Sequence, residues 1–143
     1  MRTFTYPALI EPGDEQGFVV TFPDVPEAVT QGEDRPEALA MGAEALGLAL
    51  LTYLRQGRPL PRSRAARGLT PVTVEPEIAA KIAVLEAFAD AGISKAELAR
   101  RIGKDEREVR RILDPMHATK LGALRAALSA LGRRLVVGVE KAA

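Results

Sequence analysis

The sequence predicts an α+β protein in two parts. Residues 1–74 read as a small β-sheet covered by one helix, and residues 75–143 as an all-α helix-turn-helix domain ending in a short strand. Three observations carry this expectation. Short β-rich runs separated by turn formers occupy the stretch before Asp34. From Asp34 the apolar residues recur at helical rather than strand spacing. Lastly, Ile93–Leu113 (ISKAELARRIGKDEREVRRIL) reads as two short amphipathic helices hinged at Gly103.

Taken in order, Thr3–Ile10 is the first expected strand, with Phe4, Tyr6 and Leu9 apolar. The turn-rich stretch Glu11–Gly17 leads into a second run, Phe18–Phe22, so the two read as a hairpin. Pro23 and Pro26 bracket a loop because neither can donate to a sheet ladder. Ala28–Gln31 is a short third strand. Asp34 then caps a helix, with Glu37 closing a capping box and Pro36 in the first turn, where a missing N–H is harmless. Leu39, Gly42, Ala43, Leu46, Leu50, Tyr53 and Leu54 form its apolar face, and Gly57 ends it. Arg58–Gly68 (RPLPRSRAARG) has no apolar period and reads as an exposed connection. Thr70–Val74 is placed as an edge strand of the same sheet.

In the second part, Glu77–Ala91 is expected as a helix with Ile78, Ile82, Leu85 and Phe88 on one stripe. In the pair that follows, Leu98, Ile102, Val109 and Ile112 face inward, and Ala99 is small where the second helix crosses. Ser94 and Asp105 stand at N-cap positions, each with an acid three residues on (Glu97, Glu108). Lys104 departs from the pattern, since the residue after the turn glycine is usually apolar. Thr119–Leu131 forms another helix, stopped by Gly132. Leu135, Val137 and Val139 alternate in the final strand, Arg133–Glu140. Two pairings are open to it: its twin from another chain, giving a dimer, or Thr70–Val74 of the same chain.

The net charge of +1 conceals an asymmetry. Residues 1–57 carry three Arg, no Lys and nine acids, whereas residues 58–143 carry 17 basic residues against 10 acids. An acidic front and a basic back imply different partners. There is no cysteine, which excludes disulfides and thiolate metal sites and suits a reducing, cytoplasmic setting. The longest unbroken apolar run, Ala45–Leu51, falls far short of the roughly 20 residues of a membrane span. The strand-like N-terminus does not read as a signal peptide. His117, the single histidine, lies in a turn beside Pro115 with no second His or Cys to work with, and the acids scatter among turns. No enzyme, cofactor or metal is therefore expected.

In a helix-turn-helix the second helix enters the major groove, N-terminal residues first. Here those are Glu106, Arg107, Arg110 and Arg111. Arginine's planar fork pairs with both guanine acceptors, and Glu106 can accept from cytosine. Ser94 and Lys95 begin the preceding helix, where N–H groups suit a phosphate, and Lys104 and Lys120 are further phosphate candidates. Operator double-stranded DNA bound by a homodimer or higher homo-oligomer is the expected partner. In the competing reading, Arg110 and Arg111 are solvated or paired with Glu106 and Glu108.

The run GFVVTFPDVPEAVTQGEDRPEALAMGAEALGLAL, followed by GRPLPRSR, resembles the N-terminal domain of the HicB antitoxins. In that family a segment F-P-D-x-P-G-x-x-T-x-G-D precedes a helix beginning near E-A. Phe22, Pro23, Asp24, Pro26, Thr30, Gly32 and the pair Glu37–Ala38 stand at matching positions. Glu27 replaces the frequent Gly, and Glu33 stands near the frequent Asp. Together with the helix-turn-helix and the final strand, the resemblance covers essentially the whole chain. It implies a partial ribonuclease-H-like fold (the HicB fold) that has lost catalysis. It also implies a partner, the small basic HicA toxin, a ribonuclease that cleaves mRNA. HicB-like proteins mask that toxin and repress their own operon through the C-terminal domain. Phe22, Pro23, Asp24 and Glu27 are the expected toxin contacts. The alternative is a helix-turn-helix regulator whose N-terminal domain senses a small molecule.

Overall fold

The computed structural model describes residues 1–64 and 66–142. Ala65, in the expected connection, and Ala143, the last residue of the expected second domain, lie outside the described residues. Among the described residues the chain is α+β, with one four-stranded antiparallel sheet and five helices. It divides into two compact units, Met1–Ala79 and Ala80–Ala143.

In the first unit, β1 (Thr5–Pro12), β2 (Phe18–Thr21) and β3 (Val29–Gly32) are followed by α1 (Arg35–Arg55) and β4 (Thr70–Thr73). The sheet order is β3-β2-β1-β4. Leu9 pairs with Thr21 across the hairpin, and Tyr6 pairs with Val72 on the other side of β1, so β4 is an edge strand as expected. Strand geometry sends alternate residues to opposite faces, and Phe4, Tyr6 and Ala8 are buried in one phase, with Pro7 between them buried as well. Leu9 falls on the other phase and is only half-buried, which corrects its place in the apolar set.

Asp34 caps α1 by accepting the Glu37 N–H at 2.9 Å. The covered face of α1 includes Ala38, Ala43, Leu46, Leu50 and Tyr53, packed over the sheet with Val20 and Phe22 among the core. By length and composition α1 is apolar enough to cross a membrane, a test that its short unbroken run did not reveal. Its small buried residues instead serve close packing on the sheet. Gly32 shows how close: a Cβ there would stand 2.4 Å from the Ala38 N and 2.7 Å from its Cα. The end of β3 and the first turn of α1 meet backbone to backbone, and only glycine fits.

The connection after α1 is tied down rather than free. The Tyr6 hydroxyl donates to the Pro61 carbonyl, Ser63 donates to the Thr5 carbonyl at 2.7 Å, and Asp24 accepts the Arg64 N–H at 2.8 Å. Without apolar residues to mark them, these polar anchors leave no periodic trace in the sequence. The unit then runs past the expected boundary at Val74, because Val74 and Ile78 both lie over Gly47 of α1.

The second unit contains most of α2 (Pro76–Ala91), then α3 (Lys95–Ile102), α4 (Glu106–Ile112) and α5 (Leu121–Ala130). Ala80, Val84 and Ala87 of α2 join Ile112, Leu124, Ala127 and Leu128 in one core cluster. Leu98, Ala99 and Val109 form a second, with Phe88, Ile93 and Ile102 against it. The α2 stripe is turned in part from the expected one: Ile82 is fully buried as expected, but Ile78, Leu85 and Phe88 are only half-buried, and Lys81 is buried as well. Residues 133–140 form no strand, and β4 is paired only with β1. The intrachain pairing of this segment with Thr70–Val74 is therefore absent. Leu135 packs partly on the core, while Val136, Val137 and Val139 are exposed, the last at 97%.

Candidate functional site

The α3–α4 pair is built as its spacing requires. Ser94 accepts the Glu97 N–H at 3.0 Å and Asp105 the Glu108 N–H at 2.8 Å, so both helices have side-chain N-caps. Gly103 ends α3 at φ 68° and ψ 32°, the left-handed conformation, and the Lys104 N–H returns to the Ala99 carbonyl. The reciprocal half of the capping box is not used at α3, because Glu97 turns toward two arginines. Its carboxylate accepts from Arg100 at 2.9 Å and from Arg101 at 3.0 Å. Those hydrogen bonds, Arg100 first, hold the Glu97 carboxyl down at about 2.

Val109 and Ile112 anchor α4 in the core, so the opposite face is presented outward. Glu106, Arg107, Arg110 and Arg111 are all exposed there. Arg110 lies 3.9 Å from Glu106, and Arg111 lies 3.5 Å from Glu108, as the competing reading of these residues foresaw. Such exposed helical pairs are worth only a few tenths of a kcal/mol, so either arginine can leave its acid for a stronger acceptor. Arg107 has no ion pair among the described residues. Ser94, Lys95, Lys104 and Lys120 are exposed too, with Lys104 in the turn and Lys120 at the N-cap of α5. The exposure of Lys104 explains how a charge is tolerated at that position.

One buried charge lies beneath this face, and the expected site residues did not include it. Lys81 of α2 is 3% exposed, and its Nζ donates to the Ile112 carbonyl at 2.7 Å, the Arg111 carbonyl at 3.2 Å and Thr119 Oγ1 at 2.7 Å. Burial pushes the ammonium down to about 8, with Asp114 acting the other way. A signal existed: Lys81 is the single charge between Ile78 and Leu85, inside an otherwise apolar helical run.

The acidic loop of the first unit is less uniform than expected. Phe22 is 1% exposed, a core residue beneath α1, which removes its ring from any contact surface and corrects its place among the toxin contacts. An aromatic residue in a loop motif looks available in one dimension, but here it closes the sheet–helix core. Pro23 and Glu27 are exposed and Asp24 is half-buried. Glu27 accepts from the Tyr53 hydroxyl at 2.8 Å and lies 3.4 Å from Arg58, whose guanidinium stacks 4.0 Å over the Tyr53 ring. The Tyr53 bond is the main reason that the Glu27 carboxyl lies below its usual value and the Tyr53 hydroxyl above its own. These residues border a groove of about 300 Å³ that also takes in Val29, Ala45 and Leu48. Val29 and Leu48 are exposed apolar residues, so the groove sets an apolar wall beside the Glu27–Arg58 pair. Among the described residues no cluster of His, Cys, Asp or Glu is arranged to hold a metal ion.

Residues 5–83 match a family described as a HicB-like antitoxin of a bacterial toxin–antitoxin system. Over 140 residues the chain is 38% identical to Antitoxin HicB 1 of Photorhabdus laumondii, covering 98% of this chain and 90% of the relative. It is 39% identical to Antitoxin HicB of Escherichia coli K12, covering 91% and 95%. Antitoxin HicB of Pseudomonas fluorescens is 33% identical, with 93% of each chain covered.

Proposed function

The chain belongs to the HicB-like antitoxins of bacterial toxin–antitoxin systems, and on that footing we propose that it neutralises a HicA-type mRNA-cleaving toxin and represses its own operon. The observation that carries this reading is one chain joining an acidic antitoxin unit to a basic unit whose α4 turns three arginines outward from a buried Val109–Ile112 anchor. Neutralisation is contact without chemistry. The first unit offers Pro23, Asp24 and Glu27, beside an apolar wall at Val29 and Leu48, to a small basic protein. Repression uses α3–turn–α4 as a helix-turn-helix. Arg107, Arg110, Arg111 and Glu106 read base edges, and Ser94, Lys95, Lys104 and Lys120 meet phosphates. A two-fold operator calls for two such helices, and pairing of the apolar tail beyond Leu135 with its twin supplies the dimer.

The test separates the two activities in one variant. Replacing Arg110 and Arg111 with Ala weakens binding to DNA upstream of the gene, each base-reading arginine being worth about 1–3 kcal/mol. The same protein still rescues growth of cells expressing the adjacent toxin. Unchanged operator affinity in fluorescence anisotropy removes the groove assignment, and lost rescue by a folded variant removes the division of labour.

A further inference from the structure

We propose that Lys81 is a positioning residue for the recognition surface: its buried ammonium ties the C-terminal end of α4 and the segment carrying Thr119 to α2, and so sets the angle at which the arginine face is presented. This rests on the DNA-binding reading of α4 given above.

The geometry carries the inference. α4 has only seven residues, too short to hold its own orientation by helical hydrogen bonds. Its N-terminal half is fixed by the Asp105 cap and by Val109 in the α3 cluster. Its far end is held by Ile112 in the α2–α5 cluster and by Lys81. The last carbonyls of a helix have no partner within it, and here the ammonium supplies one. The Ile112 carbonyl receives its proton at 2.7 Å, and the Arg111 carbonyl is shared with the Asp114 N–H. A positive charge also suits the negative end of the helix dipole. The third acceptor, Thr119, is in turn bonded to His117, so the segment between α4 and α5 is gathered onto the same nitrogen. Lys81 touches no solvent-facing surface and cannot meet DNA itself, so its influence runs through α4.

An aliphatic residue in its place is a simpler way to fill a core, since burying a charge is unfavourable. What the ammonium adds is direction: three donors aimed at three fixed acceptors define one arrangement of α2, α4 and the following segment. Apolar packing alone tolerates several.

The test uses full-length protein with two variants, Lys81→Met and Thr119→Val. Each is compared with wild type for binding to operator DNA and to random DNA, and for amide hydrogen exchange. In folded Lys81→Met, the preference for operator over random DNA falls by tenfold or more while random-DNA affinity is unchanged. Exchange quickens in residues 111–119 and not in α3. A folded Lys81→Met with unaltered preference and unaltered exchange overturns the proposal. Should that variant fail to fold, Thr119→Val decides: a reduced preference with local loosening supports the assignment, and wild-type behaviour overturns it. If wild type itself binds both DNAs equally, the DNA-binding reading falls instead, and the exchange comparison alone decides whether Lys81 holds α4.

Discussion

Lys81 and Gly32 each stand where one atom group decides a local arrangement, and each gives a measurable consequence. An unfolded lysine keeps its proton to the usual 10.5, whereas the folded Lys81 releases it near 8. Between those values the unfolded chain binds the extra proton, so this group makes stability rise with pH through that window. Wild type is therefore expected to gain on the order of 1–3 kcal/mol over Lys81→Met between about pH 8 and 10.5, read from urea unfolding. A constant difference across that range means the lysine is not paying for its burial as a charge. At Gly32, the backbone of Ala38 fills the space a methyl needs. Gly32→Ala is expected to cost about 1–3 kcal/mol by chemical denaturation, because neither backbone can yield without parting β3 from α1. The sequence marks this glycine in its motif without showing why. The reason lies in a contact between β3 and α1, visible only once they are packed.

At the level of elements, the caps and the period were the legible features. Asp34, Ser94 and Asp105 all accept the expected N–H, and Gly103 takes the left-handed turn, because these are local rules acting over three or four residues. Side-chain phase was less legible. In α2 the true inward face is set by what α4 and α5 bring to it, and a run as apolar as IAAKIAVL offers several stripes. The final segment is the opposite case: it has the alternation of a strand but no ladder partner among the described residues. Alternation describes a face, and pairing needs a second edge. If the second edge belongs to another copy, deleting residues 136–143, while keeping the core-packed Leu135, lowers the mass seen by light scattering. An unaltered mass places self-association elsewhere.

For the whole molecule, the charge changes at about residue 58, whereas the first unit runs to Ala79 and takes in Arg58, Arg62, Arg64 and Arg67 of the connection, staying net acidic with 11 acids against 7 arginines. A fragment of residues 1–79, kept to Ile78 so that α1 stays covered at Gly47, is expected to rescue cells from the toxin without binding DNA. Failure to rescue, with a folded circular dichroism spectrum, means the toxin surface extends into the basic half. The candidate toxin contacts were the least legible part: Phe22 belongs to the core, and Asp24 holds the Arg64 backbone.

The acids set among the basic side chains of α3 and α4 bear on how the proposed DNA binding responds to salt. Glu97, Glu106 and Glu108 pair with Arg100, Arg101, Arg110 and Arg111, so much of the positive charge is already answered before any DNA arrives. Under that reading Lys95, Lys104 and Lys120 are left to meet phosphates, beside Arg107, which is assigned to base edges. Three such contacts per protomer are expected to give a salt slope of about −3 per protomer, and about −6 for a dimer, in log K against log salt, read by fluorescence anisotropy. A much steeper slope means that the paired arginines leave their acids for phosphates as well.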